Sequence, residues 1–213
     1  MDYIDLAAVL PKETARFAYV AEQGADASCA FAALSSWLSL YWDSPASEAQ
    51  LILEAAALQE KAAANGDGSA KGDGFGADLS VVSALLDARG FASRAYRLDW
   101  TGLAAAAGRY APLLVHYDRP DGHFALLLGF RGEAAVVADP ARGLETVERA
   151  EFERRWSGVA LAALPAPAAA RATETGAPPR RDEDRLAAAL ARADRTRNAV
   201  EAEAGRLAAG DRP

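Results

Sequence analysis

The chain has one cysteine, Cys29, and two histidines, His116 and His123, among 213 residues. A lone cysteine closes no intramolecular disulfide, so thiol usage leaves the redox compartment open. There is no sustained basic run, and 23 Lys and Arg against 30 Asp and Glu give a net charge of −7. Phosphate binding needs clustered cations, so no nucleic-acid partner is expected. No stretch is long and apolar enough to span a bilayer, so no membrane span is expected. Met1-Asp2-Tyr3-Ile4-Asp5 offers neither a charged n-region nor an apolar h-region, and no signal peptide is visible. Half of the residues are hydrophobic, enough for one substantial core with a tail to spare.

Four zones follow along the chain. Residues 1–15 read as a lead-in, 16–164 as a folded domain, 165–181 as an Ala/Pro-rich linker and 182–213 as a charged helical or disordered tail. Within the domain, Asp26 and Ser28 are suitable N-caps for a helix from Cys29 to Trp42, whose apolar positions 30, 34, 37, 38 and 41 predict near-complete burial. Ser47-Glu48-Ala49-Gln50 has the form of a capping box opening a second helix to about Ala64. A third spans Asp78 to Arg89 and stops at Gly90.

The Gly-rich segment between Asn65 and Gly76 reads as a surface loop. It fails as a calcium loop, with Ala70 at the sharp-turn position and Gly76 where the bidentate glutamate belongs. It also lacks the Gly-Lys-Ser/Thr ending of a phosphate loop. No metal and no cofactor is expected.

Beyond Gly90 the hydrophobic period changes to that of strands. Phe91–Leu98, Pro112–Tyr117, His123–Phe130, Ala134–Asp139, Leu144–Val147 and Val159–Leu164 read as strands, with short helices after Thr101 and around Glu151 to Trp156. Helices first and an antiparallel meander second predict an α+β fold, with N-terminal helices packed on an antiparallel β-sheet. In the tail, Leu186, Leu190, Ala193, Val200, Ala204 and Leu207 form a weak apolar stripe interrupted by Arg197. Solvated tail and docking to a partner are both open readings.

The chemistry gathers around Cys29. A thiol at the N-terminus of a buried helix meets unpaired N–H groups that favour its thiolate. A nucleophile also needs a base, a group to orient that base, and donors for an oxyanion. His116 lies inside an apolar strand and reads as structural, whereas His123 follows a turn and sits on a rim. Folding the hairpin about Arg131 to Glu133 sets His123 or Phe124 opposite Asp139, close enough for the carboxylate to orient the imidazole. Gln23, six residues before Cys29, supplies an amide that joins the Cys29 backbone N–H in an oxyanion hole.

The segment from Arg16 to Cys29, with Gly122-His123-Phe124 and Ala138-Asp139-Pro140-Ala141-Arg142-Gly143, resembles cysteine peptidase family 39 of clan CA. These are papain-like, bacteriocin-processing peptidases. The resemblance covers roughly Phe17 to Leu164, including Glu151 to Trp156. It implies a papain-like fold and cleavage of leader peptides, often after Gly-Gly. It also implies Gln23 as oxyanion residue, Cys29 as nucleophile, His123 as acid/base and Asp139 as its orienter.

Many members are domains of peptide exporters with a membrane part and an ATPase. This sequence carries neither and resembles the stand-alone form. The expected partners are a peptide or protein substrate and, through the C-terminal tail, a secretion-system component. The expected location is periplasmic or secreted if an export signal has been removed, and otherwise cytoplasmic. One position departs from the family pattern: Ala30 follows the nucleophile where glycine is usual. Its methyl group gives weight to two alternatives, an adaptor that turns over weakly or not at all and a thioester-forming acyltransferase.

Overall fold

A computed structural model describes residues 15–25, 27–64, 79–118, 122–166 and 181–208. The glycine-rich segment, Asp26 and the turn residues 119–121 lie outside the described residues. So do most of the lead-in, the linker residues 167–180 and the last five residues. Helix α1 (Cys29–Ser36) has every residue buried. It passes into a π-helical turn, Trp37–Tyr41, rather than continuing as an α-helix to Trp42. The wider turn lets the Leu38 carbonyl accept from both Trp42 and Ser44 as the chain reverses. Tyr41 Oη donates to Tyr19 O at 2.8 Å, fixing the reversal to the lead-in.

Helix α2 (Glu48–Ala64) opens with the expected capping box. Ser47 N–H donates to Gln50 Oε1 at 2.9 Å and Gln50 N–H to Ser47 Oγ at 3.2 Å, pairing two otherwise orphaned donors. Helix α3 (Leu79–Ala88) turns Val82, Leu85 and Leu86 inward and ends before Gly90. Helix α4 (Trp100–Tyr110) is capped by Asp99, whose carboxylate accepts from Gly102 N–H. Helix α5 (Arg149–Arg155) buries Phe152.

Six antiparallel strands form one sheet in the order β1-β6-β2-β3-β4-β5. They are β1 (Phe91–Arg97), β2 (Leu113–Tyr117), β3 (His123–Arg131), β4 (Ala134–Asp139), β5 (Gly143–Glu148) and β6 (Trp156–Pro165). β4 is buried along its whole length, as expected of a strand covered on both faces. Helix α1 packs against β3, which brings the start of the helix to the start of the strand. The fold is the α+β arrangement expected from the sequence, with helices on an antiparallel sheet.

The β3–β4 register differs from the simple hairpin reading. Near the turn Arg131 faces Ala134 and Gly129 faces Val136, but Leu127 faces Val137 and Leu126 faces Ala138. One extra residue, Leu128, is bulged out of β3. Continuing that register sets Ala125, not His123 or Phe124, opposite Asp139. A strand's side chains alternate between faces, so His123 shares Ala125's face and reaches Asp139 diagonally. Without the bulge Asp139 would face Leu126 and lie on the opposite face from His123.

The tail takes the helical one of its expected forms. Helix α6 (Glu183–Ala208) follows the linker and lays its first half on the domain itself. Leu186, Ala189 and Ala193 are buried and Leu190 packs against the core. A Cβ on Gly129 would come within 3.2 Å of Leu190, so glycine there lets the helix approach β3. Arg131 Nε pairs with Asp194 at 2.8 Å, and Asp182 N–H donates to Tyr41 O at 2.8 Å. Leu186, Leu190 and Ala193 of the stripe fold back on their own chain because the sheet offers an apolar surface next to them, which periodicity alone does not reveal. The side chains of Arg197, Val200, Ala204 and Leu207 lie outside the described residues.

Candidate active site

Three segments converge on the sulfur of Cys29. It begins α1, with Ser28 at the N-cap position. Ser28 Oγ donates to Ala25 O at 2.7 Å and accepts from Ala25 N–H at 3.1 Å, closing the turn before the helix instead of capping its amides. Ala21 N–H donates to Ser36 Oγ at 2.8 Å, so the lead-in runs along α1. That lead-in is also tied to the Asp139-Pro140 turn. Gln23 N–H donates to Pro140 O at 3.0 Å, and the Arg16 guanidinium donates to Arg142 O. Gly143 adopts φ +82° and a Cβ there would lie 2.6 Å from Arg16 O, so only glycine admits this contact.

The His123 imidazole stands between the thiol and the carboxylate. Its Nε2 lies 2.9 Å from Asp139 Oδ1, and the ring stands close enough to the Cys29 sulfur for each to shift the other's titration. Asp139 is fully buried, the His123 side chain is 24% exposed and Cys29 is 8% exposed. Asp139 Oδ1 also accepts from Ala141 N–H at 2.8 Å, which fixes the carboxylate plane. Tyr117, opposite His123 on β2, stacks on the imidazole at 6.2 Å and 14°.

Burial acts on all three titrating groups, and their mutual contacts outweigh it. Burial pushes the Cys29 thiol up, but the His123 hydrogen bond, the Phe124 backbone, the imidazolium charge and the Ala30 backbone bring it below its ordinary value. Burial pushes His123 down, yet its bonds to Asp139 and Cys29 and their charges drive it up to about 9. For Asp139, burial raises the carboxyl, and the hydrogen bond and charge of His123, the Ala141 amide and Arg142 lower it overall. A thiolate–imidazolium–carboxylate row is the charge state these contacts favour.

Gln23 stands beside this row but does not bond to it. Its Nε2 donates to Ala25 O at 3.1 Å, which uses one of the two amide protons. Its Oε1 is buried and accepts no hydrogen bond among the described residues. His116 lies elsewhere on β2, with Nδ1 3.1 Å from Ser157 Oγ, and burial pushes it below its ordinary value. Ala30 is 1% exposed and belongs to the core cluster. Its methyl group is therefore packed inside the domain rather than presented to a substrate.

Arg155 is a neighbour that no spacing in the sequence announces. It ends α5, directly after Arg154 in the segment Glu151 to Arg155. Its guanidinium lies 4.4 Å from the centre of the Tyr117 ring, with Nη2 4.0 Å from Asp139 Oδ2 and Nη1 3.7 Å from Glu145 Oε1. Only the Phe152-to-Trp156 burial pattern hints at it, since the intervening side chain is drawn inward with them. Among the described residues no group of three or more His, Cys, Asp and Glu side chains could hold a metal ion. No described helix is long and apolar enough to cross a membrane.

This architecture, helices on an antiparallel sheet with a thiol at a helix start facing a His–Asp pair on neighbouring strands, is the papain-like fold expected from the sequence. Residues 67–168 match the model of the peptidase C39 family. The match includes His123 and Asp139 but begins after Gln23 and Cys29, which are brought to them by the fold.

Two curated relatives come from Escherichia coli. The colicin V secretion/processing ATP-binding protein CvaB is 32% identical over 90 residues, covering 42% of this chain and 12% of that protein. The probable microcin-H47 secretion/processing ATP-binding protein MchF is 31% identical over 90 residues, with the same coverage. The chain thus spans about an eighth of the length of these relatives.

Among solved structures, the peptidase domain of Streptococcus ComA, a bi-functional ABC transporter, superposes with a TM-score of 0.57 at 20% identity. It covers 69% of this chain and 98% of that one. A double glycine motif protease from an AMS/PCAT transporter, solved with its leader peptide, gives 0.53 at 22% identity over 68% and 90%. Both likenesses concern the fold.

Proposed function

We propose that the chain is a thiol peptidase that removes leader segments from polypeptides destined for secretion, cutting after a Gly-Gly pair. The observation that carries this reading is the row of Cys29, His123 and the buried Asp139, with His123 Nε2 2.9 Å from the carboxylate and with thiol and imidazole shifting each other's titration. The thiolate of Cys29 attacks the peptide carbonyl while the second Gln23 amide proton and the Cys29 backbone N–H receive the oxyanion. His123, as imidazolium, gives its proton to the leaving amine and then activates the water that resolves the thioester. Asp139 holds the imidazole in register throughout. Substrate choice follows from access: a cysteine only 8% exposed is approached most easily by a backbone without side chains before the cut bond. The relatives' secretion and processing roles and the leader peptide of the double glycine motif protease support the same reading.

The work of such an enzyme lies on the export route, in the periplasm or outside the cell after removal of a signal. A secretion-system partner engaging the tail would do so beyond Ala193, because Leu186, Ala189 and Ala193 are already buried on the domain. The test is mass spectrometry of synthetic leader peptides containing Gly-Gly, incubated with the wild type, Cys29→Ala and Gln23→Ala. Wild type is expected to cut on the carboxyl side of Gly-Gly, C29A to leave the peptide intact, and Q23A to cut about 10²–10³ more slowly. Unchanged masses with the wild type would favour the adaptor reading, and a gain in peptide mass would favour acyl transfer.

A further inference from the structure

The Asp139 carboxylate has one oxygen that the catalytic row does not use. Oδ1 accepts from His123 and Ala141, whereas Oδ2 is buried and accepts no hydrogen bond among the described residues. A buried carboxylate oxygen without a donor is costly unless a positive charge stands nearby. The side chain that approaches it is Arg155, 13% exposed. Its guanidinium is held by three contacts from three strands: the face of Tyr117 on β2, Asp139 at the end of β4, and Glu145 on β5.

The register explains why these meet. Glu145 pairs with Val137 and Gly143 with Asp139, so Glu145 and Asp139 share one face, and Gly143 contributes no side chain between them. Helix α5 then delivers Arg155 from the end of its last turn, where its carbonyl also accepts from Asp118 N–H at 3.1 Å.

Resting on the reading of Cys29 and His123 as thiol and acid/base, we propose that Arg155 is a positioning residue for this site. Clamped on Tyr117 and shared between Glu145 and Asp139 Oδ2, it keeps the Asp139 carboxylate charged and aimed at His123. Arg155 touches neither the thiol nor the imidazole and acts through Asp139. The titratable and charged groups facing it are Tyr117, Asp139 and Glu145, with His123 beyond Asp139 and Arg142 in the adjoining turn.

Their states agree with a shared cation. Burial and the neighbouring Asp139 charge raise the Glu145 carboxyl while Arg155 pulls it back, and burial also pushes the Tyr117 hydroxyl far up so that it stays neutral. Two carboxylates thus face Arg155, with Arg142 adding positive charge from the adjoining turn. Removing Arg155 reaches Cys29 through Asp139: a carboxyl that takes up a proton no longer supports the imidazolium that pairs with the thiolate.

The experiment is the pH dependence of Cys29 alkylation by iodoacetamide in the full chain, with a thermal melt of each variant. Arg155→Met keeps length and packing on Tyr117 without charge, and its acid limb is expected to move up by about one pH unit. Arg155→Lys retains the charge and is expected to stay near the wild-type limb. Where R155M does not fold, Arg155→Gln takes its place as the neutral variant. A folded neutral variant with an unmoved limb, or a lysine variant shifted as far as the neutral one, overturns the proposal while leaving thiol catalysis standing. A wild-type thiol no faster than a model thiol overturns thiol catalysis and the positioning role together.

Discussion

At the scale of single residues, the site is a contest between burial and pairing. Burial alone would leave Cys29 a neutral thiol and His123 a neutral imidazole, the inert forms. Pairing reverses both, because the imidazole bonds the sulfur on one side and Asp139 on the other. The sign of the pH dependence follows. The imidazolium's contribution to stability is fully present below the unfolded histidine value of about 6.5. It is lost as pH rises through about 9, the folded value of His123. Because the same proton is donated to the leaving amine, peptide cleavage should fall along that limb. A kcat/KM profile that stays high beyond it would contradict this assignment, as would one falling already near the ordinary histidine value.

At the scale of elements, the sequence announced nearly every helix and strand but not the details that aim them. The capping box at Ser47 was legible because its two hydrogen bonds are local and need specific residue types. The pairing of His123 with Asp139 was legible as a hairpin contact, yet its geometry depends on a bulge. Nothing in the apolar run from Ala125 to Phe130 marks Leu128 as the extra residue. The bulge alone puts the imidazole and the carboxylate on one face.

Arg155 was illegible for a related reason. Its partners come from three strands, and no local spacing encodes them. The docking of α6 was hidden because an apolar stripe states that a surface will be covered, not by what. Since the first half of α6 covers its own domain, Leu186→Ala should destabilise the fold by about 2–4 kcal/mol, in the usual range for truncating one buried leucine. Urea unfolding checks this, and an unchanged midpoint would show that α6 adds nothing to the domain.

At the scale of the whole molecule, one sheet and the helices on it hold together a site whose parts are far apart in sequence. The lead-in bearing Gln23 is tied to the Asp139-Pro140 turn, α1 presents Cys29, and β3 and β4 bring His123 to Asp139. The fold class was legible from the switch in hydrophobic period at Gly90. The site's order along the chain was legible from residue chemistry, while the way Gln23's side chain bonds was not.

The central claim is that this assembly makes Cys29 a standing thiolate. The most direct test is the rate of Cys29 alkylation by iodoacetamide near pH 6 in wild type and His123→Ala, against a model thiol. Wild-type Cys29 should react about ten times faster than the model thiol or more, since each pH unit by which the thiol is depressed raises the thiolate fraction about tenfold, and H123A should lose that advantage. A wild-type thiol no faster than the model, or a reactivity indifferent to His123, would contradict the account.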